Sequence, residues 1–318
     1  MIDKIYSNAI NQICYFRTSV KKPNSKVLIQ ITNRCNMNCK HCFVKATSNG
    51  FDINVENFNK YIVEQLRIWK TKRVTLTGGE PLLHKDIFHF AKILNDNDIS
   101  VAICTNGMLL GNDLINKFNE LNDIHINVSL DGFSETSYSN FRGVNNKFFS
   151  VKQTIEHIGK IGLLKGILVT PNIYSSIDEY VDLCKFAKAN NAKYVLFNPI
   201  APLGRGVDNV NICGVSDSFL NNLYASTAKL KDSNFDINYI RFPIIKKSKI
   251  ANCIYNRLYY IYANGNITKC PYVSFSQNME EKANIDGLTN IIGNVFNGAI
   301  EKVEYDIEDY GECIAHIL

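Results

Sequence analysis

Six short aliphatic or β-branched runs, each followed by an amphipathic stretch, restrict this chain more than any other feature. They are KVLIQIT (26–32), RVTLTGG (73–79), VAICTNG (101–107), HINVSLDG (125–132), GILVTPN (166–172) and KYVLFNP (193–199). Strand-like runs alternating with helical patterns are the mark of repeated βα units around a parallel sheet. The helical stretches carry their own signal: Val55, Phe58, Ile62, Leu66 and Trp69 fall three or four apart and make one apolar stripe that can pack on a sheet. In SIDEYVDLCKFAKANN, Ser176 is a candidate N-cap, with Glu179 three residues later. Six such units can curl into an open barrel. The expected fold class is therefore α/β, a partial (β/α)6 TIM-type barrel over residues 26–205, preceded by an N-terminal extension over 1–25. In such barrels the chemistry sits on loops leaving the C-terminal ends of the strands, which gives every motif a positional test. Beyond residue 205 the alternation stops, and 206–318 reads as a smaller module. Its expected elements are a helix over 218–231, a strand in FDINYIRF and a hairpin in LYYIYANGNITKC turning at Asn264 and Gly265.

Composition matters mainly for what it excludes. With 318 residues, 46% hydrophobic and 20% charged, the chain has the make-up of a soluble globular protein. No run approaches the length of a membrane-spanning helix, and the N-terminal MIDKIYSNAINQICYF scatters charge and Asn among its apolar residues, so the expected location is cytoplasmic, with no membrane partner. Ten cysteines without an export signal point to ligands or chemistry rather than disulfides. The net charge of +5 is spread without a basic block, which argues against a nucleic-acid partner.

Three of the thiols, Cys35, Cys39 and Cys42, sit in RCNMNCKHC directly after the first strand, in a loop whose Asn33, Asn36 and Asn38 favour tight turns. Thiolates are soft ligands, suited to zinc or to an iron–sulfur cluster. A closed zinc site needs a fourth ligand, and His41 is poorly placed between Lys40 and Cys42. An iron–sulfur cube held by three thiolates leaves one iron open for a substrate or cofactor.

The C-x3-C-x2-C spacing, followed by GGEP at 78–81, TNG at 105–107 and SLDG at 129–132, resembles the radical S-adenosylmethionine (SAM) superfamily across residues 26–205. The resemblance implies a 4Fe-4S cluster on Cys35, Cys39 and Cys42, whose open iron chelates the amino and carboxylate groups of SAM. It also implies an electron from a flavodoxin- or ferredoxin-type donor, cleavage of the sulfonium bond, and hydrogen abstraction from a substrate by a 5′-deoxyadenosyl radical. Gly78 and Gly79 would let the backbone approach a ligand closely, with Glu80 near SAM's amino group. Asn106 belongs to the same cofactor-binding set. Ser129 would serve the ribose or carboxylate region, with Asp131 two residues on sharing its face, and Arg142 in FRG would meet the carboxylate. Singly, each has a plain structural reading as a turn, a loop signal or a surface charge.

A second constellation follows. Cys253, Gly265 and Cys270 read C-x11-G-x4-C, which resembles the opening of the SPASM extension or its shortened form, twitch. Both hold auxiliary iron–sulfur clusters. The resemblance implies a twitch/SPASM-like module with a second 4Fe-4S cluster on Cys253, Cys270 and Cys313, and His316 standing where a fourth thiolate is usual. A zinc or metal-free module is the alternative. Of the remaining thiols, Cys104 and Cys184 read as small packed residues and Cys14 has no partner in view. Cys213, shortly after PLGRG, is a candidate hydrogen donor to a substrate radical, as in some radical SAM peptide epimerases. Arg205 is a candidate contact for an acidic substrate or cofactor group.

The expected reaction is modification of a ribosomally made peptide, by epimerisation or crosslink formation, the commonest role of SPASM and twitch enzymes. Some 25 residues before the barrel are too few for a separate leader-peptide domain. Two other enzyme readings stand beside it: oxidation or epimerisation of a small molecule such as a sugar alcohol, and haem-pathway chemistry on porphyrin side chains. A non-enzymatic iron–sulfur or zinc binding protein is the fourth reading.

Overall fold

A computed structural model describes residues 24–200, 204–240, 258–268, 284–285, 288–289, 291–298 and 300. Within it the six sequence runs become β1 (Ser25–Thr32), β2 (Thr71–Gly78), β3 (Ser100–Thr105), β4 (Ile124–Ser129), β5 (Leu164–Val169) and β6 (Tyr194–Phe197). Each pairs in parallel with the next. Helices supply the crossovers. The first, α1, starts as α-helix over Val55–Asn57, widens to a π-helix over Phe58–Ile62 and returns to α-helix over Val63–Ile68. It is followed by α2 (Ile87–Asp96), α3 (Asn112–Asn119), α4 (Glu135–Arg142), α5 (Phe148–Lys160) and α6 (Ile177–Ala189). The α1 stripe behaves as its spacing requires: Phe58, Ile62, Leu66 and Trp69 are fully buried. At the start of α6, Ser176 and Glu179 form a reciprocal capping box.

Successive strand residues point to opposite faces, and this alternation builds two environments. Val27, Ile29, Val74, Leu76, Val101, Ile103, Ile126 and Val128 face the helices and join one continuous core. Burying each such side chain contributes about 1.5–3 kcal/mol. The alternate residues Leu28, Thr75, Cys104, Ser129, Leu168 and Leu196 face inward and line a cavity.

The sheet does not stop at β6. After α7 (Gly206–Cys213) and α8 (Asp217–Ala228), β7 (Asp236–Tyr239) pairs in parallel with β6. Its burial alternates like that of the barrel strands, with Ile237 and Tyr239 in the core. At the other edge, β8 (Leu258–Ile261) pairs in parallel with β1, and β9 (Asn266–Thr268) returns antiparallel to β8. The turn between them falls where the sequence places it: Gly265 has φ +87°, its N–H donates to the Tyr262 carbonyl at 2.9 Å, and a Cβ there would strike the Phe296 ring. A short ribbon, β10 (Asn284–Ile285) and β11 (Leu288–Thr289), stands apart, and β12 (Ile291–Asn294) adds to β9. The resulting ten-stranded order, β12-β9-β8-β1-β2-β3-β4-β5-β6-β7, is a mostly parallel partial barrel. Cys14, Cys253, Cys270, Cys313 and His316 lie outside the described residues.

Candidate functional site

The loop carrying Cys35, Cys39 and Cys42 leaves the C-terminal end of β1 and is fastened by its own backbone and by a distant arginine. Cys35 N–H donates to the Thr47 carbonyl at 2.6 Å, and Cys42 N–H to the Cys39 carbonyl at 3.2 Å. Arg205 N–H donates to the Cys42 carbonyl at 2.9 Å, while its guanidinium donates from Nε to the Cys39 carbonyl and from Nη1 to the Ala46 carbonyl, both at 2.8 Å. Gly204, at φ +58°, brings this segment so close that a Cβ would strike the Cys42 and Phe43 carbonyls. Arg205 thereby satisfies loop carbonyls that have no ladder of their own, and it also lines the cavity into which these thiols open.

The GGEP segment is explained by the same loop. A Cβ on Gly79 would strike the Arg34 carbonyl, and one on Gly78 would lie 2.5 Å from the Thr32 carbonyl. The close approach that demands glycine is thus to the chain just before Cys35. Gly79 N–H and Glu80 N–H bond the Thr32 and Arg34 carbonyls at 2.9 and 2.8 Å. The buried Glu80 carboxylate accepts from Leu82 N–H at 3.0 Å, Thr105 Oγ1 at 2.6 Å and Asn106 N–H at 2.8 Å. Burial pushes its pKa up, opposed by those three bonds. Asn106 Nδ2 donates to Asn36 Oδ1 at 2.8 Å, tying the TNG loop to the cysteine loop.

Asp131 lies beyond the end of β4 and is buried, with Oδ1 accepting from Thr170 N–H at 2.6 Å and Oδ2 2.5 Å from Arg142 Nε. Arg142 is buried too, and its Nη1 is 3.9 Å from Cys39 Sγ. Burial opposes the guanidinium's charge, but Asp131 and the Cys39 thiol outweigh it and hold its pKa above the ordinary arginine value. His41 stacks on Phe141 at 4.6 Å between ring centroids, with Nε2 3.7 Å from Asp131 Oδ2. Burial lowers its pKa to about 4, so the ring is neutral near pH 7.

All of these groups meet in one cavity. Its wall includes Cys35, Cys39 and Cys42 and each of the expected cofactor contacts Gly78, Gly79, Glu80, Asn106, Ser129, Asp131 and Arg142. The thiols are spread around it: among the described residues no three His, Cys, Asp or Glu side chains gather closely enough to hold a single metal ion. A four-iron cube is broader than one ion and takes its thiolates at separate corners, so the residues fit a cluster. Burial raises the Cys35 thiol to about 11, a proton that ligation would displace.

Comparison with known proteins agrees with this geometry. The family model of the Radical SAM superfamily matches residues 29–187. The chain belongs to the Radical SAM superfamily. Superfamily relatives include the Fe-coproporphyrin III synthase of Methanosarcina barkeri, 25% identical over 224 residues, 66% of this chain and 56% of that protein. The AdoMet-dependent heme synthase of the same organism is 30% identical over 181 residues, 56% of this chain and 51% of the relative. The chain thus spans about half the length of these curated relatives. Among solved structures, Streptococcus suis SuiB bound to its precursor peptide SuiA aligns with TM-score 0.66 at 16% identity, covering 99% of this chain and 69% of SuiB. The structure of anSMEcpe with AdoMet and the Kp18Cys peptide aligns with TM-score 0.57 at 16% identity, covering 87% of this chain and 79% of that one.

Two cysteines are placed differently from expectation. Cys213 is buried at the end of α7 against Phe141 and Ile200, its thiol donating to the Asn209 carbonyl at 3.2 Å, and it is not part of the cavity wall. An S–H bonded four residues back along its own helix is an ordinary packed thiol. Cys104, read as a packed residue, does line the cavity, with Asn127 Nδ2 3.8 Å from its sulfur. Strand alternation could have revealed it, since Val101 and Ile103 take the outer face. No helix among the described residues is long and apolar enough to cross a membrane.

Proposed function

We propose that this chain is a radical SAM enzyme that modifies a ribosomally made peptide, by epimerisation or crosslink formation. The observation that carries the radical SAM part is the convergence of three thiols and the GGEP, TNG, SLDG and FRG motifs on one cavity wall at the C-terminal ends of the strands. Cys35, Cys39 and Cys42 would hold the 4Fe-4S cluster, which with bound SAM supplies a radical able to abstract hydrogen from carbon. The chain's own part is positioning and exclusion of water. Arg205 and Gly204 fix the cysteine loop from one side and Gly79 and Glu80 from the other. Asp131 holds the Arg142 guanidinium against Cys39, where a fixed positive charge favours thiolate over thiol.

The peptide reading is supported by the alignment with SuiB and anSMEcpe, each solved with a peptide bound. It includes an auxiliary 4Fe-4S cluster on Cys253, Cys270 and Cys313, with His316 as a further ligand, and a flavodoxin- or ferredoxin-type electron donor. A second reading, chemistry on a tetrapyrrole, is favoured by the names of the M. barkeri relatives.

The test is anaerobic reconstitution, reduction and incubation with SAM. Formation of 5′-deoxyadenosine above the background of a Cys35→Ala, Cys39→Ala, Cys42→Ala variant is expected; its absence would leave only a binding role. A mass change in a short peptide encoded beside the gene supports the first substrate class. A shift of the porphyrin absorption band on adding coproporphyrin, with no peptide modified, supports the second.

A further inference from the structure

Outside the cavity, Ile300 is held by a bracket that the proposed chemistry does not use. Tyr61, Gln65 and Trp69 stand four apart along one side of α1 and its C-terminal end. The chain coming off β12 passes them in order. Phe296 packs edge-on against Tyr61, with 6.0 Å between ring centroids. Ile300 then meets Gln65 through both its backbone groups: its N–H donates to Gln65 Oε1 at 2.7 Å, and its carbonyl accepts from Gln65 Nε2 at 2.7 Å and from Trp69 Nε1 at 3.1 Å. Gln65 and Trp69 are buried, so breaking these bonds would leave polar groups without water or partner. The path from Phe296 to Ile300 therefore runs in the direction of α1. It heads for the base of the barrel, where the strands begin and where the Trp69 carbonyl accepts from Oγ of Ser25, the first residue of β1, at 2.9 Å.

The charge at that base is positive. Lys70, Lys72 and Arg73 follow Trp69 in the chain and are exposed, and Lys26 on β1 is the register partner of Arg73. Among the described residues none of these four side chains has a hydrogen bond or an ion pair. Beyond Ile300 the sign reverses. Residues 301–318, EKVEYDIEDYGECIAHIL, carry six acidic side chains against the single Lys302, in a chain whose net charge is +5. In VEYDIE acidic and apolar residues alternate, so an extended segment would turn Glu304, Asp306 and Glu308 to one face and Val303, Tyr305 and Ile307 to the other.

We propose that residues 301–318, which lie outside the described residues, dock along the base of β1 and β2, with Glu304, Asp306 and Glu308 against Lys70, Lys72 and Arg73. Exposed ion pairs are individually weak. The bracket changes their footing, because it holds the start of the tail beside its partners and makes each pairing a local, intramolecular event. The docking is independent of the radical SAM reading. It would also bring Cys313 and His316 towards the edge where Leu258 of β8 lies against Lys26 of β1, with Cys253 shortly before Leu258 in the chain.

The experiment is hydrogen–deuterium exchange of the reconstituted full chain, read in peptides covering 303–309, ahead of Cys313. A synthetic peptide of residues 301–318 supplies the unprotected rate. Exchange at least about tenfold slower than in that peptide is expected in the wild type. Protection should be lost in the Lys70→Glu, Lys72→Glu, Arg73→Glu variant and recovered when Glu304→Lys, Asp306→Lys and Glu308→Lys are added to it. It should persist in Cys313→Ser, since the pairing does not need a cluster. An unprotected tail in the wild type, protection unmoved by the charge reversal, or no recovery in the swapped variant would each overturn the docking. Loss of protection in Cys313→Ser would assign it to a cluster, and protection that falls on diluting the protein would place the tail on another copy; either result overturns the proposal.

Discussion

The mouth of the barrel and its bore are made from the same strands but carry charge in opposite ways. At the mouth almost every charged group is committed: Arg142 to Asp131, Arg205 to two loop carbonyls, Glu80 to three donors, Arg34 to Asp52. Toward the start of β1, away from the mouth, the half-buried Lys26 has no hydrogen bond or ion pair among the described residues. Committed charges rigidify a scaffold, as cluster ligands and a cofactor require. The contrast separates a mouth whose charges hold one another and the cysteine loop from a lower strand end whose lysine ties nothing among the described residues.

The largest expected effect at the mouth is loss of the cluster. In the Cys35→Ala, Cys39→Ala, Cys42→Ala variant, iron per chain measured after reconstitution should fall by about four atoms. Unchanged iron would mean that these thiols hold none.

Next comes the buried pair beneath Cys39. Asp131→Asn leaves the Arg142 guanidinium buried without its partner and should cost about 3–5 kcal/mol in urea unfolding, with part recovered by adding Arg142→Gln. A cost below about 1 kcal/mol, as for an exposed pair, would show that the mouth is not held this way.

Arg205→Ala removes two charge-assisted bonds to the cysteine loop and should cost about 1.5–3 kcal/mol, with faster loss of iron on dilution. Loss of stability with iron retention unchanged would confine Arg205 to the fold.

The smallest effect belongs to the half-exposed Arg34–Asp52 pair. Burial pushes the Asp52 carboxyl up, but hydrogen bonds from Arg34 and Thr32 outweigh it and leave the pKa below the ordinary value. Its contribution, under about 1 kcal/mol after screening, is therefore complete above the unfolded value of about 3.9 and is lost as pH falls through the lower folded value. The difference in urea midpoint between wild type and Asp52→Asn should shrink between pH 7 and pH 3; a difference that grows on acidification would reverse the sign.

Much of this was legible in the sequence because strands and helices announce themselves by period. All six barrel strands and the α1 stripe fall where the alternation places them. The pairing of β7 with β6 was hidden because two helices, α7 and α8, separate them and the βα rhythm is interrupted there. Arg142 and Asp131 lie on either side of the start of α4, and nothing in their spacing says that they face each other rather than a ligand. Gly78 and Gly79 were recognised as sites of close approach, but only the fold shows that the approaching backbone is that of Thr32 and Arg34. Arg205 is a plain surface charge to composition; its targets are backbone carbonyls more than 150 residues away.

The central claim is that three thiols at the barrel mouth hold a cluster with one coordination position left for SAM. Electron paramagnetic resonance of the reduced, reconstituted protein during SAM titration tests it most directly. The account predicts a 4Fe-4S signal that changes shape and g-values saturably with SAM and is missing from the triple cysteine variant. A signal indifferent to SAM, or a zinc-filled site with no such signal, would contradict it.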